Sequence, residues 1–264
     1  MTVLVGTTCA PYKTDDPRSV LSWLATVEEL HATSDIQLFA ALEVDARGEE
    51  PHTALITELE EAGGVYWTFS LDDRAETITG RNRLTRICAG RNLVTQYGHD
   101  IGASHILFVD SDVTVPGDAV RRLLEVDWPI VGGHIPTYCL NGPKVEAIDT
   151  ALNGDPPQWA ARIANDYSFR HFDGRPFPEG ADVREHMNTA GFLLVRRDLF
   201  LKLRWRWSLD DGLTDDPCYH ADAAALGYPT WVRHDVRGRH FPEQIGPVDG
   251  RGHDLTIHRT PVTV

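Results

Sequence analysis

Ile106-Leu107-Phe108-Val109-Asp110-Ser111-Asp112 is four apolar residues running into two carboxylates one residue apart. The apolar run predicts a buried strand. In an extended segment, positions i and i+2 share a face. Asp110 and Asp112 are thus expected at one point past the C-terminal edge of a sheet, where open α/β folds bind ligands. Two crowded carboxylates repel unless a cation lies between them, and Mg²⁺ or Mn²⁺ bridging to phosphate suits such hard oxygen ligands. The plainer alternative is a pair of acidic residues on a surface turn.

The same kind of element recurs outward from this strand. Residues 2–8, 36–44 and 65–69 read as buried strands, and residues 129–133 as the next after it. Between them lie helical patterns over 17–33, where Val20, Leu21, Leu24, Val27 and Leu30 share a face, over 52–62, ended by Gly63-Gly64, and over about 82–98, broken at Gly98. Pro116-Gly117 opens a further helix. This β-α alternation predicts an α/β fold: a mostly parallel sheet with helices on both faces. Residues 140–187 are rich in Pro, Gly, Asp and aromatics with weak periodicity, and read as a long functional loop region or small insertion. A strand and helix start at 190–200, a helix at 217–226 and a strand at 229–233 follow.

The 264 residues, 42% hydrophobic, suit one large α/β domain or two small ones. No apolar run has the roughly 18–20 residues of a membrane span, and the first residues read as a strand instead of a signal peptide. A soluble, cytoplasmic protein is expected. Cys9, Cys88, Cys139 and Cys218 are scattered without C-x-x-C spacing, so neither zinc nor a disulfide framework is indicated. A net charge of −14 argues against general nucleic-acid binding.

Two further clusters carry chemistry. Thr214-Asp215-Asp216-Pro217-Cys218-Tyr219 places carboxylates at a helix start, either as simple caps or as functional acids. His234-Asp235-Val236-Arg237-Gly238-Arg239-His240 sets two histidines among arginines after a strand, and either suits a metal and phosphate environment. Arg83 and Arg86, three apart, share a helix face. With Arg81 and Arg91 they are candidates for contacts to a diphosphate or nucleotide, or else for a solvated face. Trp159, Tyr167, Phe169, His171, Phe172 and Phe177 are candidates for stacking on sugar rings or for ordinary packing.

In order along the chain, these segments resemble one family. Ala89-Gly90-Arg91-Asn92-Leu93 is similar to its "a-R-N" helix start, and Gly102–Asp112 to its "l-l-f-l-D-x-D" strand. Asn188–Phe200 resembles its "G-x-x-l-i-r-R-x-x-f" strand. Asp215-Asp216 with Tyr219 and Gly227-Tyr228 resembles "E-D-x-x-f … G-y". The chain resembles nucleotide-sugar-dependent glycosyltransferases of the GT-A, Rossmann-like fold, family 2 in particular. It departs from them in having Asp215 where Glu is usual, and Leu42-Glu43-Val44-Asp45 where V-D-D-G-S is common.

The resemblance implies a single domain over 1–264, with residues 1–135 as the nucleotide-binding half and 136–264 as an irregular acceptor-side half. It implies a nucleoside-diphosphate sugar donor, a UDP-sugar favoured, and hexosyl transfer to an acceptor hydroxyl with Mn²⁺ or Mg²⁺. Asp110, Asp112 and His240 (or His234) are implied around the metal, and Asp110, Arg83, Arg91 and Asp45 at the nucleotide. Asp216 is implied as general base or acceptor-orienting acid, with Asp215 beside it. The acceptor is left open among a glycan, a protein, a small molecule and a modified nucleobase. Two alternatives stand beside this. A sugar-nucleotide nucleotidyltransferase would have a Gly-rich basic loop after the first strand, unlike Gly6-Thr7-Thr8-Cys9-Ala10-Pro11. A non-catalytic carbohydrate- or protein-binding module would need neither acidic pair.

Overall fold

The computed structural model describes residues 1–9, 17–33, 36–44, 53–70, 79–135, 182–185, 191–208, 215–228 and 230–240. Asp45, the aromatic residues expected between 140 and 181, and Cys139 lie outside them.

The first half alternates as its pattern predicts. Strand β1 (Val3–Cys9) leads to helix α1 (Pro17–Thr33), β2 (Gln37–Glu43), α2 (Thr53–Glu61), β3 (Val65–Phe69) and α3 (Thr79–Asp100). Then come β4 (His105–Val109), the short β5 (Val113–Thr114), α4 (Ala119–Leu124) and β6 (Ile130–His134). The second half supplies β7 (Asp182–Glu185), β8 (Phe192–Arg196), α5 (Arg197–Phe200), α6 (Asp215–Ala225), β9 (Thr230–Arg237) and β10 (Arg239–His240).

Among the described residues, eight strands form one sheet in the order β3-β2-β1-β4-β8-β6-β9-β7. The block β3-β2-β1-β4 is parallel throughout, as expected. β8 runs antiparallel between β4 and β6, and β7 runs antiparallel on β9. β7 falls in the stretch expected to be irregular, and the direction of β8 was not legible because a strand buried on both faces is apolar whichever way it runs. The sheet is therefore mixed, in an α/β fold of Rossmann-like type.

Strand alternation sorts the core into two layers. Val3, Val5, Leu107, Val109, Phe192 and Leu194 face one layer, where α1, α2 and α4 contribute Trp23, Leu30, Leu55, Leu59 and Leu123. Leu4, Ile106, Phe108, Leu193 and Val195 face the other, where α3, α5 and α6 contribute Val94, Phe200 and Tyr219. Fully burying one such Leu or Phe side chain contributes about 1.5–3 kcal/mol, so both faces must be covered. α3 and α6 thus share a layer, and this is what later brings their polar residues together.

α3 lies unusually close to the sheet. A Cβ on Gly90 would fall 1.9 Å from Thr8 Oγ1 and 2.8 Å from Thr8 Cβ. Gly98 was expected to break the helix, yet α3 continues to Asp100. A Cβ at Gly98 would meet Ile106 Cδ1 at 2.6 Å, so this glycine serves close packing instead of termination. On the opposite layer, Arg122 of α4 and Arg233 of β9 grip Asp235. Arg122 Nη2 donates to Asp235 Oδ2 at 2.7 Å, and Arg233 Nε and Nη2 donate to its two oxygens at 2.9 and 2.7 Å.

Candidate active site

β4 is central in the sheet, and Asp110 follows its last residue. The extended geometry expected for the two carboxylates stops there. Val113 N–H donates to the Asp110 carbonyl at 3.0 Å, so Asp110–Val113 is a tight turn. The strand ends because the chain must turn into β5. Asp110 and Asp112 therefore project from a turn, not from one face of a strand. Between them, Ser111 is fully buried, and its hydroxyl has no hydrogen-bond partner among the described residues.

Arg91 organises the surroundings. It is 4% exposed. Its Nη2 donates to Asp110 Oδ1 at 3.0 Å and its Nη1 to Asp216 Oδ1 at 2.7 Å; Nη1 also donates to Asp215 Oδ2. One guanidinium on α3 thus joins the first Asp of D-x-D to the acidic pair opening α6, more than a hundred residues further on. Burial works against the charged form, but Asp216, Asp215 and Asp110 outweigh it and hold the Arg91 pKa above its ordinary value. A planar fork of donors suits this task better than a point charge.

The guanidinium is backed by an aromatic stack that sequence reasoning missed. Arg91 lies over the Trp205 ring, 4.8 Å from its centroid. Trp205 stacks on Tyr219 at 3.8 Å and 9°, and meets the edge of Phe108 at 5.1 Å. Asn92, next to Arg91, ties this segment to α3. Its Nδ2 donates to the Trp205 carbonyl at 2.9 Å, and its Oδ1 accepts the Trp205 N–H at 3.0 Å. The Asn of "a-R-N" and the Tyr after Asp215-Asp216 were the signals available; Trp205 itself had none. Burial pushes the Tyr219 hydroxyl up, so it stays protonated. Burial, with Asp215 adding to it, pushes the nearby Cys88 thiol up to about 12, which leaves it unreactive.

The other expected residues are placed as follows. Arg86 pairs at 3.1 Å with Glu43, a buried acid at the end of β2. This pair was not foreseen; Glu43 precedes by two residues the Asp45 expected there. The side chains of Arg81, Arg83, His234 and His240 lie outside what the structure describes. The backbone of His240 is placed: β10 pairs antiparallel with β5, setting His240 opposite Val113, the residue after Asp112. The 215–216 acids do begin a helix, α6, and Gly227 (φ 87°) ends it. Among the described residues, no three His, Cys, Asp or Glu side chains converge as a complete metal-binding group.

No protein-family model and no curated protein matches this sequence. Solved structures do resemble it. They include A197 from STIV, with TM-score 0.44 and 12% identity over 94% of this chain and 91% of that one. Mouse xyloside xylosyltransferase 1 in its apo form has TM-score 0.42 and 13% identity over 89% and 79%. The galactosyltransferase LgtC with donor and acceptor sugar analogs has TM-score 0.37 and 14% identity over 74% and 58%. Two of these three are named as glycosyltransferases.

Proposed function

We propose that this protein is a GT-A-type glycosyltransferase that moves a hexosyl group from a nucleoside-diphosphate sugar, a UDP-sugar favoured, to an acceptor hydroxyl. The observation that supports this best is the meeting of Asp110, Asp215 and Asp216 on Arg91 at the C-terminal end of β4. Two acidic motifs far apart in sequence would not share one buried cation if each were only a local cap.

The oxygen donors at this turn support a divalent cation in this reading. Asp110 and Asp112 offer hard oxygen atoms, Asp110 is one-third exposed, and β10 brings the His240 backbone beside the same turn. Mg²⁺ and ions like it are held by one or two carboxylates together with substrate phosphates. Asp110, Asp112 and His240 would hold the ion, which would supply Lewis-acid stabilisation of the departing diphosphate. Asp216, 27% exposed against 9% for Asp215, is the more accessible acid of the pair. In this reading it takes the proton of the acceptor hydroxyl as that oxygen attacks the sugar's anomeric carbon. Asp215, buried on Arg91, orients the start of α6. Arg83 and Asp45 remain assigned to the nucleotide side.

The test is a panel of nucleotide sugars scored for slow hydrolysis with Mn²⁺, with the product anomer read by NMR. One donor is expected to turn over, and no turnover with any donor would sink the reading. Titration calorimetry of UDP is expected to show binding with Mn²⁺ that is lost in EDTA. Equal affinity in both would remove the metal from the site.

A further inference from the structure

Resting on the reading of Asp216 as the base, we propose that Arg91 is a positioning residue. It sets the distance between the donor-side turn at Asp110 and the acceptor-side acid at Asp216, and does not itself bind the donor phosphates.

Three observations carry this. First, the guanidinium is already spent on protein groups: Nη2 on Asp110, Nη1 on Asp215 and Asp216. Second, its position is fixed from behind. Trp205 lies under it, Tyr219 and Phe108 hold Trp205, and the reciprocal Asn92–Trp205 hydrogen bonds tie that segment to α3. Third, the helix that carries it has no room to shift toward the sheet, because Gly90 touches Thr8, while a Cβ at Gly6 would lie 2.2 Å from Val94 Cγ1. A side chain 4% exposed, bonded to three carboxylates and seated on a ring, is not free to swing out to a ligand. What it can do is make the turn after β4 and the first turn of α6 behave as one rigid site. Reacting groups displaced by about 1 Å lose on the order of 10²-fold in rate, so such a tie acts on turnover more than on binding.

The experiment compares wild type, Arg91→Lys, Arg91→Met, Asp216→Asn and the Arg91→Met/Asp216→Asn double variant. The readouts are donor hydrolysis with Mn²⁺ and calorimetric UDP–Mn²⁺ affinity. Arg91→Lys keeps the buried charge, and so the fold, but replaces the fork with a single ammonium. It is expected to lower kcat by roughly 10–10²-fold with UDP affinity unchanged. In the cycle, Asp216→Asn is expected to cost far less in the Arg91→Met background than in wild type, because residues acting as a unit are non-additive. Full activity of Arg91→Lys, UDP affinity falling in step with kcat, or an additive cycle would each overturn the positioning role. Wild-type protein that turns over no donor would instead sink the glycosyltransferase reading, so the two failures are distinguishable.

Discussion

Asp215 and Asp216 are neighbours in sequence with different surroundings. Asp215 is buried against Arg91, while Asp216 shares the same guanidinium but keeps a quarter of its side chain in solvent. The expected chemistry divides accordingly. Asp216→Asn should keep UDP–Mn²⁺ binding and lose about 10²–10⁴-fold in transfer, the usual contribution of a positioned base. Asp215→Asn should lose stability first, since it weakens the most buried of the three carboxylate bonds to the guanidinium while Asp110 and Asp216 remain, a loss of about 1.5–3 kcal/mol at most. Steady-state kinetics and thermal unfolding on both variants separate the two roles. Transfer by Asp216→Asn at the wild-type rate would reduce Asp216 to a helix cap.

At the scale of one element, α3 is decisive. It carries Arg86 to Glu43, Arg91 to the acidic pair, and Asn92 to the Trp205 segment. All three depend on how deeply the helix sits. Gly90→Ala tests this. Alanine gains about 1 kcal/mol of helix propensity over glycine. Its Cβ, however, would stand 2.8 Å from Thr8 Cβ, an atom with no freedom to retreat. Overpacking of this kind costs typically 1–3 kcal/mol, so the clash is expected to win. The melting temperature should fall, and donor hydrolysis should fall with it as Arg91 is lifted from Asp110. A stabilised Gly90→Ala variant would mean that α3 is free to adjust.

At the scale of the whole molecule, the Arg122–Asp235–Arg233 clamp couples α4 to β9 on the layer opposite the site. Hydrogen bonds from Arg233, then Arg122, hold the Asp235 carboxyl down from 3.8 to about 2. A carboxyl with a depressed folded-state pKa stabilises the fold above its unfolded pKa, and that stability is lost as pH falls through the folded value. The contribution, at most about 2 kcal/mol, should therefore be intact at pH 5 and disappear between about pH 4 and pH 2. Asp235→Asn should unfold at lower temperature than wild type at pH 5, with the difference shrinking toward pH 2. A difference that stays constant with pH would show that the clamp's charge is not what matters. No described helix is long and apolar enough to cross a membrane.

The sequence by itself determined the alternating elements of the first half, but not the short β5, β7 and β10. Continuous apolar runs placed β1 to β4, and helical patterns placed α1 to α3, within a few residues, because burial of a strand or a helix face leaves a mark that can be read locally. It also determined where the carboxylates would cluster in the chain, at the end of β4 and the start of α6. Only the tertiary structure decided their arrangement. Strand direction in β7 and β8, the turn that takes Asp110 and Asp112 out of extended geometry, and the ring beneath Arg91 all depend on contacts across the fold. Arg91 shows the difference most clearly. As a sequence position it is one of several arginines on a polar helix. Its role follows from α3 and α6 packing in one layer, where a buried cation must find every carboxylate within reach because no water is there to solvate it.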